Sequence, residues 1–222
     1  MNFINKILFP VLSRAYKIYS SKERNYNYEG IRIKVFPGVF HPGFFFSTKY
    51  LISYLNKYKI SNQKVLELGA GTGMISVYFA KLSADVTASD ISKTAIENIK
   101  TNAQLNACNI KTIHSDLFDL IPKQKFDFII INPPYFPKDA SDESELAWFC
   151  GTDFQYFEKL FRQLPEFIFP DTTAVMVLSE NCDIEMIEKI AGKNKLQMLL
   201  KDSKKFFRET NFIYEFKSLS TI

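Results

Sequence analysis

The stretch Val65-Leu66-Glu67-Leu68-Gly69-Ala70-Gly71-Thr72-Gly73 is an apolar run that breaks into three alternating glycines. Gln63 to Leu68 reads as a short buried strand, and Gly73 to Lys81 as the start of a helix. Strand, glycine turn and helix in that order form the ligand-binding corner of an open α/β sheet. Glycines there admit positive φ and carry no Cβ, so a ligand can lie directly against the backbone. The N–H groups of the helix's first turn are free to receive its polar atoms.

The glycine spacing narrows the ligand. A dinucleotide fingerprint G-x-G-x-x-G counted from Gly69 needs its third glycine at position 74, where the chain has Met74. A nicotinamide oxidoreductase is thereby disfavoured. The pattern from Glu67 to Gly73 is E-x-G-x-G-x-G, which resembles motif I of S-adenosylmethionine-dependent methyltransferases. A second stretch supports it. The β-rich run Phe126 to Ile131 ends directly in Asn132-Pro133-Pro134-Tyr135. The two prolines stop the strand, since neither can donate to a ladder, and they stiffen the turn. This turn resembles motif IV of methyltransferases that modify planar nitrogens.

Asp85 to Asp90 reads as the second strand, with Asp90 at its carboxyl end, 17 residues after Gly73. There a carboxylate can accept both hydroxyls of a ribose, helix capping by Asp90 or Ser92 being the alternative. Ser92 to Leu105 reads as a helix with Ala95, Ile99 and Ala103 along one face. Ile110 to His114 makes a third strand, ending in Ser115-Asp116-Leu117-Phe118, with His114 expected to be buried or capping. A lone Asp at 116 is otherwise a common turn residue.

Residues 1–20 have helical periodicity interrupted at Pro10, and the polar stretch Ser20 to Gly30 reads as a linker. Ile31 to Phe36 alternates as a half-exposed strand does, and it stops at Pro37-Gly38. Val39 to Thr48 contains Phe44-Phe45-Phe46, which cannot all face one way, and His41, read as a hydrogen-bonded loop residue. Ser47 or Thr48 could cap a helix over Lys49 to Tyr58. Beyond the Asn132–Tyr135 turn come a polar loop, Lys138 to Glu145, and a helix burying Phe154, Phe157, Leu160, Phe161 and Leu164. Thr172 to Ser179 is the fifth strand and Asp183 to Ala191 the next helix. Leu196 to Leu200 and Asn211 to Lys217 form a terminal antiparallel pair.

The expected fold is a doubly wound, mostly parallel seven-stranded sheet with an antiparallel last strand and a short helical N-terminal extension. Residues 1–60 are expected to cover the site, and residues 61–222 to form the cofactor-binding domain. Three widely spaced cysteines, Cys108, Cys150 and Cys182, point to reduced thiols in a cytoplasmic protein, with no metal site. No run approaches the roughly 18 apolar residues of a membrane span. Residues 1–60 hold ten Lys/Arg against Glu23 and Glu29, which leaves 18 basic and 22 acidic residues in the remainder. A basic front on an acidic body suits RNA or an acidic protein partner; a solvated helix and loop would carry the same charge.

The run of motifs resembles the release-factor glutamine N-methyltransferases in their short form, over roughly residues 35–217. It takes in Glu145-Leu146-Ala147-Trp148, followed by Gly151 and a helix. That family has acidic residues shortly after the Pro of its N-terminal motif, where this chain has Phe44-Phe45-Phe46. The resemblance implies S-adenosylmethionine as cofactor and S-adenosylhomocysteine as product. It places Glu67, Gly69, Ala70, Gly71, Gly73, Asp90, Ile91, Asp116, Leu117 and Asn132 at the cofactor, with Asp116 reaching the adenine amino group and Leu117 beside the ring. It assigns catalysis to Asn132, Pro133, Pro134 and Tyr135. The implied acceptor is a protein glutamine in a release factor. Alternatives are a nucleobase amino group in RNA or DNA, and a non-catalytic methyltransferase-like binding subunit. A monomer or weak oligomer is expected.

Overall fold

The computed structural model describes residues 19–44, 46–207 and 209–219. The helix read over residues 1–20 lies almost wholly outside them, as does Phe45. The first described elements are two antiparallel strands, β1 (Arg24–Tyr28) and β2 (Ile31–Val35). Glu29 and Gly30 join them with φ of 46° and 78°, the two positive values that a type I′ hairpin turn requires. The stretch read as a linker therefore contains a strand. Asn25 and Asn27 face solvent while Arg24, Tyr26 and Tyr28 are half-buried, so the alternation is present but polar residues disguise it.

A seven-stranded sheet follows, ordered β5-β4-β3-β6-β7-β9-β8. Its strands are β3 (Lys64–Leu68), β4 (Asp85–Asp90), β5 (Lys111–His114), β6 (Phe128–Ile131), β7 (Thr173–Ser179), β8 (Leu196–Phe206) and β9 (Glu209–Ser218). The first five run parallel, and β9 is antiparallel to both β7 and β8, as the sequence predicts. The β8–β9 hairpin is longer than expected. It continues through the polar run Lys201 to Lys205, past a register shift between Leu200 and Asp202.

The period-two pattern divides each central strand between two cores. Val65, Phe128, Ile130, Val175 and Val177 face one side, where β2, helix α1 (Ser47–Leu55) and helix α2 (Met74–Lys81) cover them. Leu66, Leu68, Ile129, Ile131 and Met176 face the other, under α4 (Gln155–Gln163) and α5 (Ile184–Lys193). Phe157, Leu160 and Phe161 of α4 are fully buried there, as their helical spacing predicts. Helix α3 (Lys93–Leu105) lies beside α2 and against β2, burying Ala95, Ile99 and Ala103. Ser92 caps α3 by accepting from the Ala95 N–H, and Asp183 caps α5 at the Met186 N–H. Neither Ser47 nor Thr48 caps α1. Both lie within its first turn, Phe46 holds the cap position without a side-chain bond, and the helix ends at Leu55 rather than Tyr58.

Gly73 precedes α2 at φ +71°, and a Cβ there would come within 3.1 Å of two Ile99 carbons. Gly192, near the end of α5, has open space around it. Gly73→Ala should therefore cost about 1–3 kcal/mol through left-handed strain and crowding. Gly192→Ala should stabilise by about 0.5 kcal/mol. Thermal and urea melts should show shifts of opposite sign.

Candidate active site

The turns at the carboxyl ends of β3, β4, β5 and β6 open onto one cavity of about 740 Å³. Residues Gly69–Thr72, Asp90–Ser92, Ser115–Leu117 and Asn132–Phe136 contribute to its walls. Pro37–Phe40, Ser47 and Thr48 close one side, and parts of the segment 139–151 another. All but one of the residues named from the sequence line this cavity. The exception is Gly73, which sits behind the turn against Ile99.

The glycine turn is held at several points. The Ala70 N–H donates to the Ser89 carbonyl at 2.9 Å, and the Gly73 N–H to the Ala70 carbonyl at 2.7 Å. Asp90 Oδ2 accepts the Gly71 N–H at 2.8 Å, while Oδ1 accepts the Ser92 N–H at 2.9 Å. Asp90 thus braces the turn, and Ser92 does the capping. Burial raises the Asp90 pKa above the ordinary carboxylate value, against the bonds from Ser92 and Gly71 that favour its charge.

Glu67 is buried at the end of β3, and its Oε2 accepts the Ser76 N–H at 2.9 Å and the Ser76 hydroxyl at 2.5 Å. It therefore serves α2 as a cap delivered from the preceding strand, because Gly73 has no side chain to do so. Burial pushes its pKa up to about 8, with the Asp90 carboxylate adding to the rise.

Asp116 does not stand alone. Lys159 of α4 reaches its Oδ2 at 2.5 Å and Asp119 Oδ2 at 2.6 Å, and Lys159 also lines the cavity. Sequence reasoning missed this lysine, which lies 43 residues downstream on another element. Beside it Leu117 is buried at φ +52°.

In the proline turn, Asn132 directs Nδ2 toward the Thr48 hydroxyl at 3.5 Å, a long contact that leaves Oδ1 with no protein donor among the described residues. The Tyr135 ring lies 4.8 Å from Phe136 and packs on the α4–α5 core. Burial raises its hydroxyl pKa above the ordinary tyrosine value. A bridge between Phe136 and Phe149 ties the turn to the segment carrying Trp148. Trp148 then meets Phe40 at 5.3 Å, so the two covering segments touch through aromatic rings.

Phe44 and Phe46 do not line the cavity. Phe44 packs against Tyr19 and His41, and Phe46 stacks on Phe206 at 4.9 Å. His41 is a buried loop residue, as expected, with Nδ1 accepting the Gly43 N–H at 3.0 Å. His114 differs from expectation: it is exposed, its Nε2 bonded to the Ile91 carbonyl at 2.8 Å. Strand β5 is the sheet's edge, so its last side chain reaches water. Among the described residues, no cluster of three His, Cys, Asp or Glu could hold a metal ion. No helix among them is long and apolar enough to cross a membrane.

Comparison with known proteins agrees with this geometry. Residues 30–198 match the methyltransferase small domain family. A putative protein N5-glutamine methyltransferase of Methanocaldococcus jannaschii is 34% identical over 146 residues, covering 63% of this chain and 72% of the relative. The tRNA1(Val) (adenine(37)-N6)-methyltransferase of Vibrio campbellii is 35% identical over 124 residues, 54% of this chain and 52% of that protein. In fold, the chain is similar to the T. thermophilus 16S rRNA N2 G1207 methyltransferase, solved with AdoMet and guanosine. That likeness has a TM-score of 0.63 at 19% identity, over 87% of this chain and 50% of the other. The chain thus spans nearly three quarters of the archaeal relative and about half of the other two. It belongs to the methyltransferase small domain family and is an S-adenosylmethionine-dependent methyltransferase.

Proposed function

We propose that the methyl acceptor is a planar primary nitrogen, and that it is the side-chain amide of a protein glutamine. The observation that carries this reading is the position of Asn132–Tyr135. The turn opens into the same cavity as the glycine corner, with Asn132 Oδ1 uncommitted. The cradle fits S-adenosylmethionine on its own evidence. A Cβ built on Gly69 meets nothing within 4 Å, so the backbone there is open to a ligand. Glu67 and Asp90 both line the cavity, where a cationic ligand would favour the ionised form of each and oppose the effect of their burial.

When bound, the cofactor supplies an electrophilic methyl group on a sulfonium. Gly69, Ala70 and Gly71 would lie along it, Asp90 would accept from its ribose, and Asp116 with Leu117 would border its adenine. Lys159 would hold the Asp116 carboxylate in place. An amide nitrogen has a delocalised lone pair and is a poor nucleophile. The Asn132 Oδ1 and the Pro133 carbonyl would accept its two N–H groups, raising electron density on nitrogen and fixing its plane. The Tyr135 ring would hold that plane by its face. Most of the acceleration would come from orientation and these fixed dipoles.

A second reading, the exocyclic amino group of a nucleobase, is favoured by the Phe40–Trp148 pair, on whose rings a base could stack. Asp139 and Glu143 also line the cavity, and carboxylates at its rim oppose a phosphate backbone while accepting peptide N–H groups. That favours the protein acceptor. Three free cysteines suit the cytoplasm. Labelled-methyl transfer to a release factor, with tRNA and rRNA in parallel at moderate salt, should place the label in protein. Label confined to nucleic acid would reverse the order.

Asn132→Ala should leave cofactor affinity within about twofold while turnover falls by about 10²–10³, the scale of losing one preorganised polar contact. Asp90→Ala should do the converse and weaken cofactor binding by about 1.5–3 kcal/mol. Isothermal titration beside single-turnover rates separates the two.

Glu67 predicts a pH dependence. Its folded pKa of about 8 lies above the ordinary value of 4.5, so the unfolded chain loses this proton first as pH rises. Stability contributed by the protonated form is therefore lost between those two values, at no more than about 1.4 kcal/mol per pH unit. Glu67→Gln should flatten the fall in melting temperature from pH 5 to 8. An unchanged slope would show that Glu67 titrates normally.

A further inference from the structure

Helix α3 carries Asn98 and Asn102, with Asn106 at its end, four residues apart and thus on one face. All three are buried. Their amides meet the backbone of β2 and of the residue after it. Asn106 Oδ1 accepts the Arg32 N–H at 3.0 Å, and its Nδ2 donates to the Arg32 carbonyl at 2.7 Å. Asn102 Oδ1 accepts the Lys34 N–H at 2.8 Å, and its Nδ2 donates to the Lys34 carbonyl at 2.8 Å. Asn98 Oδ1 accepts the Phe36 N–H at 2.9 Å, and its Nδ2 donates to the Lys34 carbonyl at 2.9 Å. The repeats match: four helical residues rise about 6.0 Å, and two strand residues about 6.6 Å. Three side chains thereby serve β2 as a neighbouring strand would.

Asn102 does one thing more. The second proton on Nδ2 goes to the Thr72 carbonyl at 2.9 Å, inside the glycine turn. The corresponding second bond of Asn106 stays within its own helix, to the Asn102 carbonyl. Asn102 does not line the cavity, yet it is bonded both to β2 and to the turn that does. Two residues beyond Val35 the chain enters Pro37–Phe40, the cavity's cover. Val39 Cγ1 lies 3.9 Å from where a Cβ on Gly71 would stand. Among these three amides, only that of Asn102 joins the strand leading into the cover directly to the turn.

We propose that Asn102 is a positioning residue for cofactor binding, fixing the Pro37–Phe40 cover against the Gly69–Gly73 turn from outside the cavity. The inference rests on the cofactor reading given above. Its test compares Asn102→Ala and the isosteric Asn102→Asp with Asn106→Ala. The Asp variant keeps the acceptor for Lys34 but loses both donors. Asn106→Ala removes two bonds to β2 but none to the turn, so it reports loss of hairpin docking alone. All three should melt at lower temperature. Both Asn102 variants should also bind S-adenosylmethionine at least tenfold more weakly by calorimetry, with turnover at saturating cofactor within about threefold of wild type. Asn106→Ala should keep its affinity within twofold. Wild-type affinity in either folded Asn102 variant, or an equal loss in Asn106→Ala, overturns the proposal. Wild-type protein that fails to bind S-adenosylmethionine overturns the cofactor reading and this inference together.

Discussion

A carboxyl group without water must find its partners in the protein, and Glu67 finds them across the glycine turn. Its two bonds from Ser76 join the last strand residues before the turn to the first helical turn after it. Three glycines in nine residues would otherwise make this the most pliable part of the chain, since each can occupy both halves of φ space. Asp90 grips the middle of the same turn through the Gly71 N–H. The turn is thus pinned at both ends and at its centre before any ligand arrives, which reduces the ordering a ligand must impose. Burying Glu67 is costly as an anion, and that cost is what raises its pKa against the two bonds from Ser76.

Around that turn the sheet winds in two directions. From β3 the chain passes to β4 and then β5 on one side, and returns to β6 and β7 on the other. Loops leaving β3 and β6 part where the direction reverses, and a crevice opens at their carboxyl ends. One topological fact therefore gathers segments near residues 70, 90, 116 and 133 around a single space. Helices on both faces make this geometry stable, because the central strands β3, β6 and β7 are buried from both sides.

The parts of this arrangement that were legible in the sequence are those fixed by local chemistry. Glycines at 69, 71 and 73, an acid ending a strand at 90, and prolines ending one at 133 each constrain their own backbone. Order along the chain then carries them to one end of the sheet. What escaped was polar material put to internal use. Asn25 and Asn27 hid β1, and Lys201 to Lys205 hid the outer half of β8. Asn98, Asn102 and Asn106 resemble the solvent face of a helix until the strand they serve is seen. Lys159 and Thr48 escaped for another reason. Each meets its partner, Asp116 or Asn132, only through tertiary folding, and no local pattern announces such a pairing.

The hairpin of β1 and β2 is attached to α3 by amides rather than by a backbone ladder. A ladder between two strands is nearly blind to sequence, because its donors and acceptors belong to every residue alike. An attachment made of asparagines is written in the gene, and single substitutions can loosen it at one rung while the others hold. The surface that closes over the cavity is therefore open to gradual change in a way the central sheet is not.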